Sequence, residues 1–375
     1  MSDKQSSQTE QSPIERFIPT GFYDVIKQER TFIGLIGVFF FIAGVVFPYA
    51  EIAMWVGFAF AGYSAIANDS IQTIGTFLAS NADKKWWVLW LWIGGIFLAT
   101  VAASWFIYDG DVTYQRLSSK GFETAPTEFS FLQVAAPIFL LILTRMRMPV
   151  STTFLLLSCF SASAEGITSV LGKSLSGYGL ALITGLVVWL VVTRLVERKL
   201  TDEPKAYWVP IQWTISGTLW AVWIMQDASN IAVFLPRTLT FGGFMAFALY
   251  IFFGLGILFY LRGDKIQQIV TEKSRVTDVR SATMVDFIYS LLLVYKLTVS
   301  TVPMSTTWVF LGLLAGREIG MSIMDSKEDG RPMGKVLLMV IKDVTYAFIG
   351  LIVSIALAIS INADVRDQLL EMIGY

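Results

Sequence analysis

The chain reads Pro-Val-Ser-Thr-Thr at residues 149–153 and Pro-Met-Ser-Thr-Thr at residues 303–307, and this repetition decides the fold. Ser and Thr are good helix N-caps and Pro is tolerated at a helix start, so each copy predicts the beginning of a helix. A second pair of polar stretches precedes the two copies, Ala67-Asn68-Asp69 and Ala228-Ser229-Asn230. Because the two pairs recur in the same order at similar spacing, they predict two structural repeats.

The composition places both repeats in a membrane. Of the 375 residues, 55% are hydrophobic and only 15% are charged, whereas soluble proteins are about 25% charged. A spanning helix needs about 20 apolar residues, and the chain has room for about eleven hydrophobic segments. These predict an all-α polytopic membrane protein and exclude a secreted disulfide scaffold. The predicted segments are Thr31–Ala50, Ile52–Ala79, Trp86–Tyr108, Phe129–Thr144, Met148–Gly172, Ser176–Thr193, Ala206–Leu235, Thr238–Leu261, Ala282–Thr301, Pro303–Ile323 and Val336–Ile361.

The segments predict a simple division of the chain. Residues 1–30 form a polar cytoplasmic tail, residues 31–361 a single membrane domain, and residues 362–375 a short C-terminal tail. Within the domain, residues 31–50 form an extra helix, residues 52–194 the first repeat and residues 206–361 the second. Five segments per repeat is an odd number, so the second repeat is expected to be inverted in the membrane. We expect an inverted-repeat transporter fold in which the fifth and tenth segments contain broken helices or hairpins.

The basic residues predict the orientation. With the N-terminus in the cytoplasm, most of the 28 Lys and Arg residues fall in cytoplasmic loops, as the positive-inside rule requires. We expect a multi-pass protein of the cell membrane, either the plasma membrane or a bacterial inner membrane.

The hydroxyl-rich motifs predict an anion site. A helix that starts at mid-membrane points free N–H groups and the positive end of its dipole inward. Two inverted copies would direct two such ends at one point, as in many transporters. The alternative is helix packing through small hydroxyl residues. The predicted donors are Ser151, Thr152, Thr153, Ser305, Thr306 and Thr307.

The buried acid Asp69 predicts a cation site beside the anion. An ionisable residue in an apolar segment is costly and is a functional hypothesis by default. Its carboxylate, together with amide and backbone oxygens, suits a hard cation such as sodium.

The pattern Asn68-Asp69-x-x-Gln72-x-x-Gly75-Thr76 is similar to the Asn-Asp signature of the PiT inorganic phosphate transporter family. The two Pro-x-Ser-Thr-Thr copies match the second recurring motif of that family, and the resemblance covers about Ile52 to Ile361. It implies inverted repeats and symport of phosphate, or of sulfate in some members, with sodium or protons. It also implies substrate-binding and cation-binding residues. With the residues that stand at the altered second signature added, the expected substrate-binding set is Asn68, Ser151, Thr152, Thr153, Ser229, Asn230, Ser305, Thr306 and Thr307. The expected cation-binding set is Asp69, Gln72, Thr76 and, by our own hypothesis, Asp227.

The chain departs from the family at three points. Ser229-Asn230 replaces the second Asn-Asp, and Phe154 and Trp308 stand where the family usually has His. Asp227 lies three residues before Asn230, nearly on the same helix face, so we hypothesise that it replaces the lost carboxylate. Two further acids follow the motifs at similar distances and are expected to line the pathway. They are Glu165 and Glu318.

These observations predict a secondary active transporter that carries inorganic phosphate by alternating access with sodium or protons. A carrier of sulfate or another oxyanion is the first alternative, since losing an acid favours a fully ionised anion. A non-transporting receptor or sensor on the same fold is the second. An enzyme is not expected, because the chain has no His. The net charge of −1 predicts no nucleic-acid partner. No cofactor is expected beyond the coupling ion, and the family resemblance implies a homodimer in the lipid bilayer.

Overall fold

The computed structural model describes residues 22–119, 121–146, 148, 150–195, 204–261, 279–324 and 332–372. Within these ranges the regular secondary structure is helical and contains no strand. The α-helices are α1 (Phe22–Val46), α2 (Ala50–Ser80), α3 (Trp86–Ile107), α4 (Phe131–Arg145), α5 (Ala164–Leu195), α6 (Trp208–Ala232), α7 (Phe241–Tyr260), α8 (Val279–Val299), α9 (Thr306–Ile323), α10 (Met333–Ile361) and α11 (Ala363–Met372).

Seven helices of the described ranges are long and apolar enough to cross a membrane, namely α1, α2, α3, α5, α7, α8 and α10. The chain is therefore a membrane-embedded helical protein. Helices α6 and α9 are not among these seven, and most of their residues are buried. A polar helix inside a membrane protein must face other protein or a polar cavity. The polar residues of α6 and α9 therefore lie in the interior of the bundle.

Helices of the first half of the chain, α2 to α5, pack against helices of the second half, α6 to α10. Helix α2 packs on α4, α6 and α7, while α3 packs on α6 and α7 and α6 packs on α8. Helix α5 lies along α9, and α10 packs on the short segment between α4 and α5. Helices from the first and second halves of the chain therefore pack against each other.

Glycines allow α5 and α9 to pack at backbone distance. A Cβ atom at Gly316 would lie 2.1 Å from the carbonyl oxygen of Leu182. One at Gly312 would lie 2.4 Å from the carbonyl oxygen of Tyr178. Small residues spaced four apart are a recurrent basis of helix packing in membranes, and here they hold α9 against α5.

The predicted bounds of the fifth and sixth segments are wrong. After Ser151 the chain forms a π-helical turn, Thr153–Leu157, and a 3-10 turn, Ser158–Phe160. The break falls at residues 161–163, and α5 runs without interruption through Gly172–Ser176, where we expected a loop. Lys173 suggested that loop, but its Nζ donates to the carbonyl of Ser300 at 2.9 Å and to that of Val302. The lysine therefore bonds the chain after α8 instead of marking a helix end.

The first helix also begins earlier than predicted, at Phe22 instead of Thr31. Residues 22–30 contain neither Gly nor Pro, so the helix of the first hydrophobic segment extends into the predicted tail without a break. Residues 1–21 of that tail lie outside the described residues. At the other end, α11 occupies residues predicted as a short tail.

Candidate functional site

The two Ser-Thr-Thr motifs lie against each other. The hydroxyl of Thr153 donates to the carbonyl oxygen of Met304 at 3.3 Å, which joins the last residue of the first Pro-x-Ser-Thr-Thr motif to the second residue of the other. The rings of Phe154 and Trp308, which follow the two motifs, are 5.1 Å apart. All six motif hydroxyls belong to buried residues. The structure therefore brings together the two motifs that the sequence places 154 residues apart (305 minus 151).

Both motifs begin a helical segment in the same way. The Ser151 Oγ accepts a hydrogen bond from the backbone N–H of Phe154 at 3.1 Å. The Ser305 Oγ accepts one from the N–H of Trp308 at 3.2 Å. The backbone N–H of Ser305 itself donates to the Ser174 Oγ of α5 at 2.9 Å. Serine caps satisfy one of the free N–H groups at each start, so two helix beginnings lie inside the protein.

Two buried carboxylates flank the motifs, each with an amide beside it. The Asn68 side chain donates to Asp69 Oδ1 at 2.8 Å. The Asn230 side chain donates to Asp227 Oδ1 at 2.6 Å. The two carboxylates also interact electrostatically with each other. The hydroxyl of Thr153 lies 3.4 Å from Asp227 Oδ1. The site therefore collects two acids and two amides from α2 and α6.

Each acid also contacts the first threonine of one motif. The carboxylate of Asp69 interacts with the hydroxyl of Thr152, and that of Asp227 interacts with the hydroxyl of Thr306. Thr152 and Thr306 occupy the same position in their motifs. Asp227 therefore contacts the first threonine of one motif as Asp69 contacts that of the other. In the sequence pattern, however, the position that matches Asp69 is Asn230, three residues after Asp227.

Four buried polar atoms of the described site residues have no hydrogen-bond partner. Three are acceptors on α6, namely Gln226 Oε1, Asp227 Oδ2 and Asn230 Oδ1, and one is a donor, Trp308 Nε1. Leaving buried polar groups unpaired is costly and calls for an explanation. Acceptors clustered on one helix suit a cation or a proton, whereas an indole N–H suits an oxyanion.

Thr76 does not join this site. Its hydroxyl donates to Asp286 Oδ1 at 2.7 Å, because seven residues along a helix separate it from Asp69 by about 10 Å. Ser229 bonds within its own helix, to the carbonyl of Gln226 at 3.0 Å. Thr307 is buried in the first turn of α9. The Gln72 side chain, predicted as a cation ligand, lies outside the described residues.

The two predicted pathway acids occupy different environments. Glu165 is exposed in the first turn of α5. Glu318 is buried late in α9 and forms an ion pair with Arg317 at 2.8 Å. Similar distances from the motifs therefore lead to different positions, because the chain turns at residues 161–163 after the first motif, whereas α9 continues without a break. Their role in lining the pathway stays a prediction.

Sequence reasoning missed two aromatic residues of the site. The Trp223 Nε1 donates to the hydroxyl of Thr306 at 3.2 Å. The Tyr289 hydroxyl donates to the carbonyl of the same threonine at 3.0 Å. Trp223 lies four residues before Asp227, so the helix spacing placed it on the same face. That signal was available, although aromatic residues in apolar segments more often pack in the core.

A cavity of about 550 Å³ opens near the end of the first motif segment. It is lined by parts of residues 124–133, 159–162 and 361–364. The ring of Phe160 lines this cavity and lies 4.7 Å from the ring of Phe234. Phe129 completes the cluster, 6.3 Å from Phe160 and 6.2 Å from Phe234. Phe160 therefore joins the wall of the cavity to this aromatic cluster.

Comparison of the chain with protein-family models, curated proteins and solved structures finds no match in any of the three. The function therefore has to be argued from the site itself.

Proposed function

We propose that the protein is an ion-coupled transporter of an inorganic oxyanion, with phosphate as the first candidate and sulfate as the second. The observation that carries the proposal is the contact between Thr153 and Met304, which joins two capped helix starts inside the bundle. Helix starts and hydroxyls provide donors for an oxyanion without any arginine. Buried sites of this kind between two halves of a chain are typical of secondary transporters.

The acids favour phosphate over sulfate. Phosphate near neutral pH still carries a proton, which it can donate to a carboxylate, whereas sulfate carries none. Asp69 and Asp227 both lie beside the motif threonines. A fully ionised anion would meet two acceptors there, so phosphate fits this arrangement better. Sulfate or another oxyanion remains the alternative.

The unpaired oxygens of α6 support a coupling ion beside the anion. Gln226, Asp227 and Asn230 each present one such oxygen. A sodium ion would be held by these oxygens, whereas a proton on Asp227 would let it donate to a neighbouring amide oxygen. The contacts of Asp227 with Asn230 and Thr306 support our hypothesis that it replaces the missing acid.

The packing supports two interlocked repeats, α2 to α5 and α6 to α10. Helix α5 of the first half lies on α9 of the second, and α10 lies on the segment that follows the first motif. We propose that the two halves are inverted and rock against each other to give alternating access. The PiT resemblance, a cytoplasmic N-terminus, a location in the cell membrane and a homodimer belong to the same proposal.

Transport in proteoliposomes tests this function. Purified protein should take up radiolabelled phosphate, and sulfate less well, when a sodium or proton gradient is imposed. Asp227→Asn should lower gradient-driven uptake at least tenfold, because the coupling ion loses its carboxylate. Asp367→Asn, at an exposed acid on α11, is the matched control and should leave uptake unchanged.

Two results would refute the proposal. The first is that neither anion moves under any gradient, and binding without transport would then favour a receptor or sensor. The second is undiminished coupling in Asp227→Asn, which would remove Asp227 from the mechanism.

A further inference from the structure

Three cationic side chains converge at one end of the bundle, outside the site described above. Arg116 belongs to the loop between α3 and α4, in a short 3-10 turn, Arg116–Ser118. Its Nη1 donates to the carbonyl oxygen of Ser300 at 2.6 Å, and its Nη2 donates to that of Leu297 at 3.3 Å. The Nζ of Lys173 on α5 donates to the same Ser300 oxygen at 2.9 Å. The two nitrogens on this oxygen therefore lie at most 5.5 Å apart (2.6 plus 2.9).

The third cation, Lys296 of α8, is joined to Lys173 through a serine. The Lys296 Nζ donates to the Ser176 hydroxyl at 2.7 Å, and that hydroxyl donates to the Lys173 carbonyl at 2.8 Å. Lys173 also interacts electrostatically with the positive charges of Arg116 and Lys296. Arg116, Lys173 and Lys296 thus come from three parts of the chain and form one group, which we call the basic cluster.

The basic cluster has no acidic partner in the described part of the chain, where no carboxylate forms an ion pair with any of its members. The acid nearest to Arg116 in the sequence is Asp111. It accepts hydrogen bonds from Thr113 and Gln115 of its own loop, and its charge acts on Arg237. Burial lowers the pKa of the Arg116 guanidinium to about 10, so this side chain stays positively charged at neutral pH. Like charges gathered without a counter-ion repel one another, and an anion bound between them would remove that cost.

Capping of the end of α8 explains only part of this arrangement. Cations near the last carbonyls of a helix are favourable, and Leu297 and Ser300 lie at the end of α8. However, Arg116 is only 3% exposed, and its Nε has no hydrogen-bond partner among the described residues. The Lys173 ammonium also has one N–H beyond those that bond the carbonyls of Ser300 and Val302. Free donors on two neighbouring cations are suited to an oxyanion.

The basic cluster lies next to the second motif. Ser174, which follows Lys173 in the chain, accepts a hydrogen bond from the backbone N–H of Ser305 at 2.9 Å. Lys173 itself bonds the carbonyl of Val302, three residues before Ser305. Three residues of extended chain span at most about 11 Å, so the cluster and the second helix start are close neighbours. The end of α8 is its predicted outer end, so an anion from outside would reach the cluster before the motif.

We propose that the basic cluster is a second binding site for a phosphate-type oxyanion, on the outer side of the second motif. Its occupant is inorganic phosphate or the phosphate group of a membrane lipid, since both present the same oxygens. With inorganic phosphate as the occupant the inference rests on the proposed transport function, because the anion is then held beside the Ser-Thr-Thr motifs. Arg116 and the two lysines hold the anion by charge-assisted hydrogen bonds.

Lysine labelling with a water-soluble acylating reagent tests the proposal on the full chain in an uncharged detergent without phosphate groups. Mass spectrometry measures the labelling rates of Lys173 and Lys296. Lys335, which is exposed in the first turn of α10, is the internal control. Inorganic phosphate should lower the labelling rates of Lys173 and Lys296 at least threefold and leave that of Lys335 unchanged. Sodium chloride at the same ionic strength should protect neither lysine of the cluster, since it only screens the charges.

Variants of the other two cations test whether the cluster acts as a unit. Arg116→Gln should raise the phosphate concentration that half-protects Lys173 at least tenfold, whereas Arg116→Lys should raise it less. Lys296→Gln should raise it at least threefold. Because the Lys296 side chain bonds only an exposed hydroxyl, this variant still provides the test if Arg116→Gln does not fold. Lys335→Gln is the matched control and should leave the half-protecting concentration unchanged.

Bilayer discs distinguish the two sources of the phosphate group. Discs of an uncharged, phosphate-free glycolipid are compared with the same discs containing phosphatidic acid. If a lipid is the occupant, phosphatidic acid alone should lower the labelling rate of Lys173 at least threefold. If the free anion is the occupant, only added inorganic phosphate should do so.

Equal labelling rates of Lys173 under all of these conditions, or equal protection by chloride, would overturn the proposal. Undiminished protection in both Arg116→Gln and Lys296→Gln would overturn it as well. Failure of the transport function would appear differently, as protection of Lys173 by phosphate or phosphatidic acid in a wild-type protein that takes up no labelled anion into proteoliposomes.

Discussion

The two Pro-x-Ser-Thr-Thr motifs begin alike and continue differently. The first leads into one π-helical turn and ends at Phe160, whereas the second continues as α9 to Ile323. The residues that follow explain the difference. Glycines at 312 and 316 let α9 lie on the backbone of α5, whereas Ser158 and Ala162 stand at the matching positions after the first motif. The shared motif sets the chemistry of each helix start, and the following residues set how firmly that start is held.

The glycine contact gives the sharpest test of this difference and the largest expected effect. Gly316→Ala should lower the free energy of unfolding by about 1–3 kcal/mol, because overpacking forces helices apart. Its Cβ would lie 2.1 Å from the Leu182 carbonyl oxygen. Gly179→Ala on α5, where a Cβ meets nothing within 4 Å, is the matched control. Thermal unfolding followed by tryptophan fluorescence measures both variants, and equal midpoints would refute the anchoring of α9.

The second threonine of each motif tests which of the two motifs contacts the other half of the chain. Thr153 contacts both Asp227 and Met304, so Thr153→Val should weaken anion binding about tenfold, which corresponds to about 1.4 kcal/mol. Thr307→Val, at the same position of the second motif, should have a smaller effect. Equilibrium binding of labelled phosphate measures both. A larger loss in Thr307→Val would reverse the roles that we assign to the two motifs.

Much of this arrangement was predictable from the sequence, and the rest depends on contacts between distant residues. Apolar segments predicted a helical membrane protein, and the motif order predicted which residues meet near Thr153. The uninterrupted α5 was not predictable, because Lys173 resembles a loop residue until its carbonyl partners are known. The pairing of Asp286 with Thr76 also joins residues far apart in the chain. The glycines at 312 and 316 were a readable packing signal that we missed.

The end of the first motif segment offers a smaller test. Phe160→Ala should open the side of the 550 Å³ cavity and raise the labelling rate of Cys159 by a water-soluble thiol reagent several-fold. Cys159 is buried, and its thiol donates to the Leu155 carbonyl. Phe106→Ala, at a ring that is 74% exposed, serves as control. Mass spectrometry follows the labelling, and equal rates in Phe160→Ala and the wild type would show that the ring does not close the cavity.

The serine caps give the smallest expected effect. Ser305→Ala should lower the free energy of unfolding by about 1 kcal/mol, as for other N-caps. Ser151→Ala should have less effect, since its cap serves only a short segment instead of all of α9. Chemical unfolding monitored by circular dichroism compares the two. A greater loss for Ser151→Ala would contradict the idea that the second helix start is the more firmly held.

The most direct test of the central claim is a high-resolution cryo-electron microscopy map of the protein prepared with phosphate. We predict tetrahedral density within hydrogen-bond distance of the Thr153 hydroxyl and of the first turn of α9. Density bound only elsewhere, or a map in which the two Ser-Thr-Thr motifs lie apart, would contradict the account.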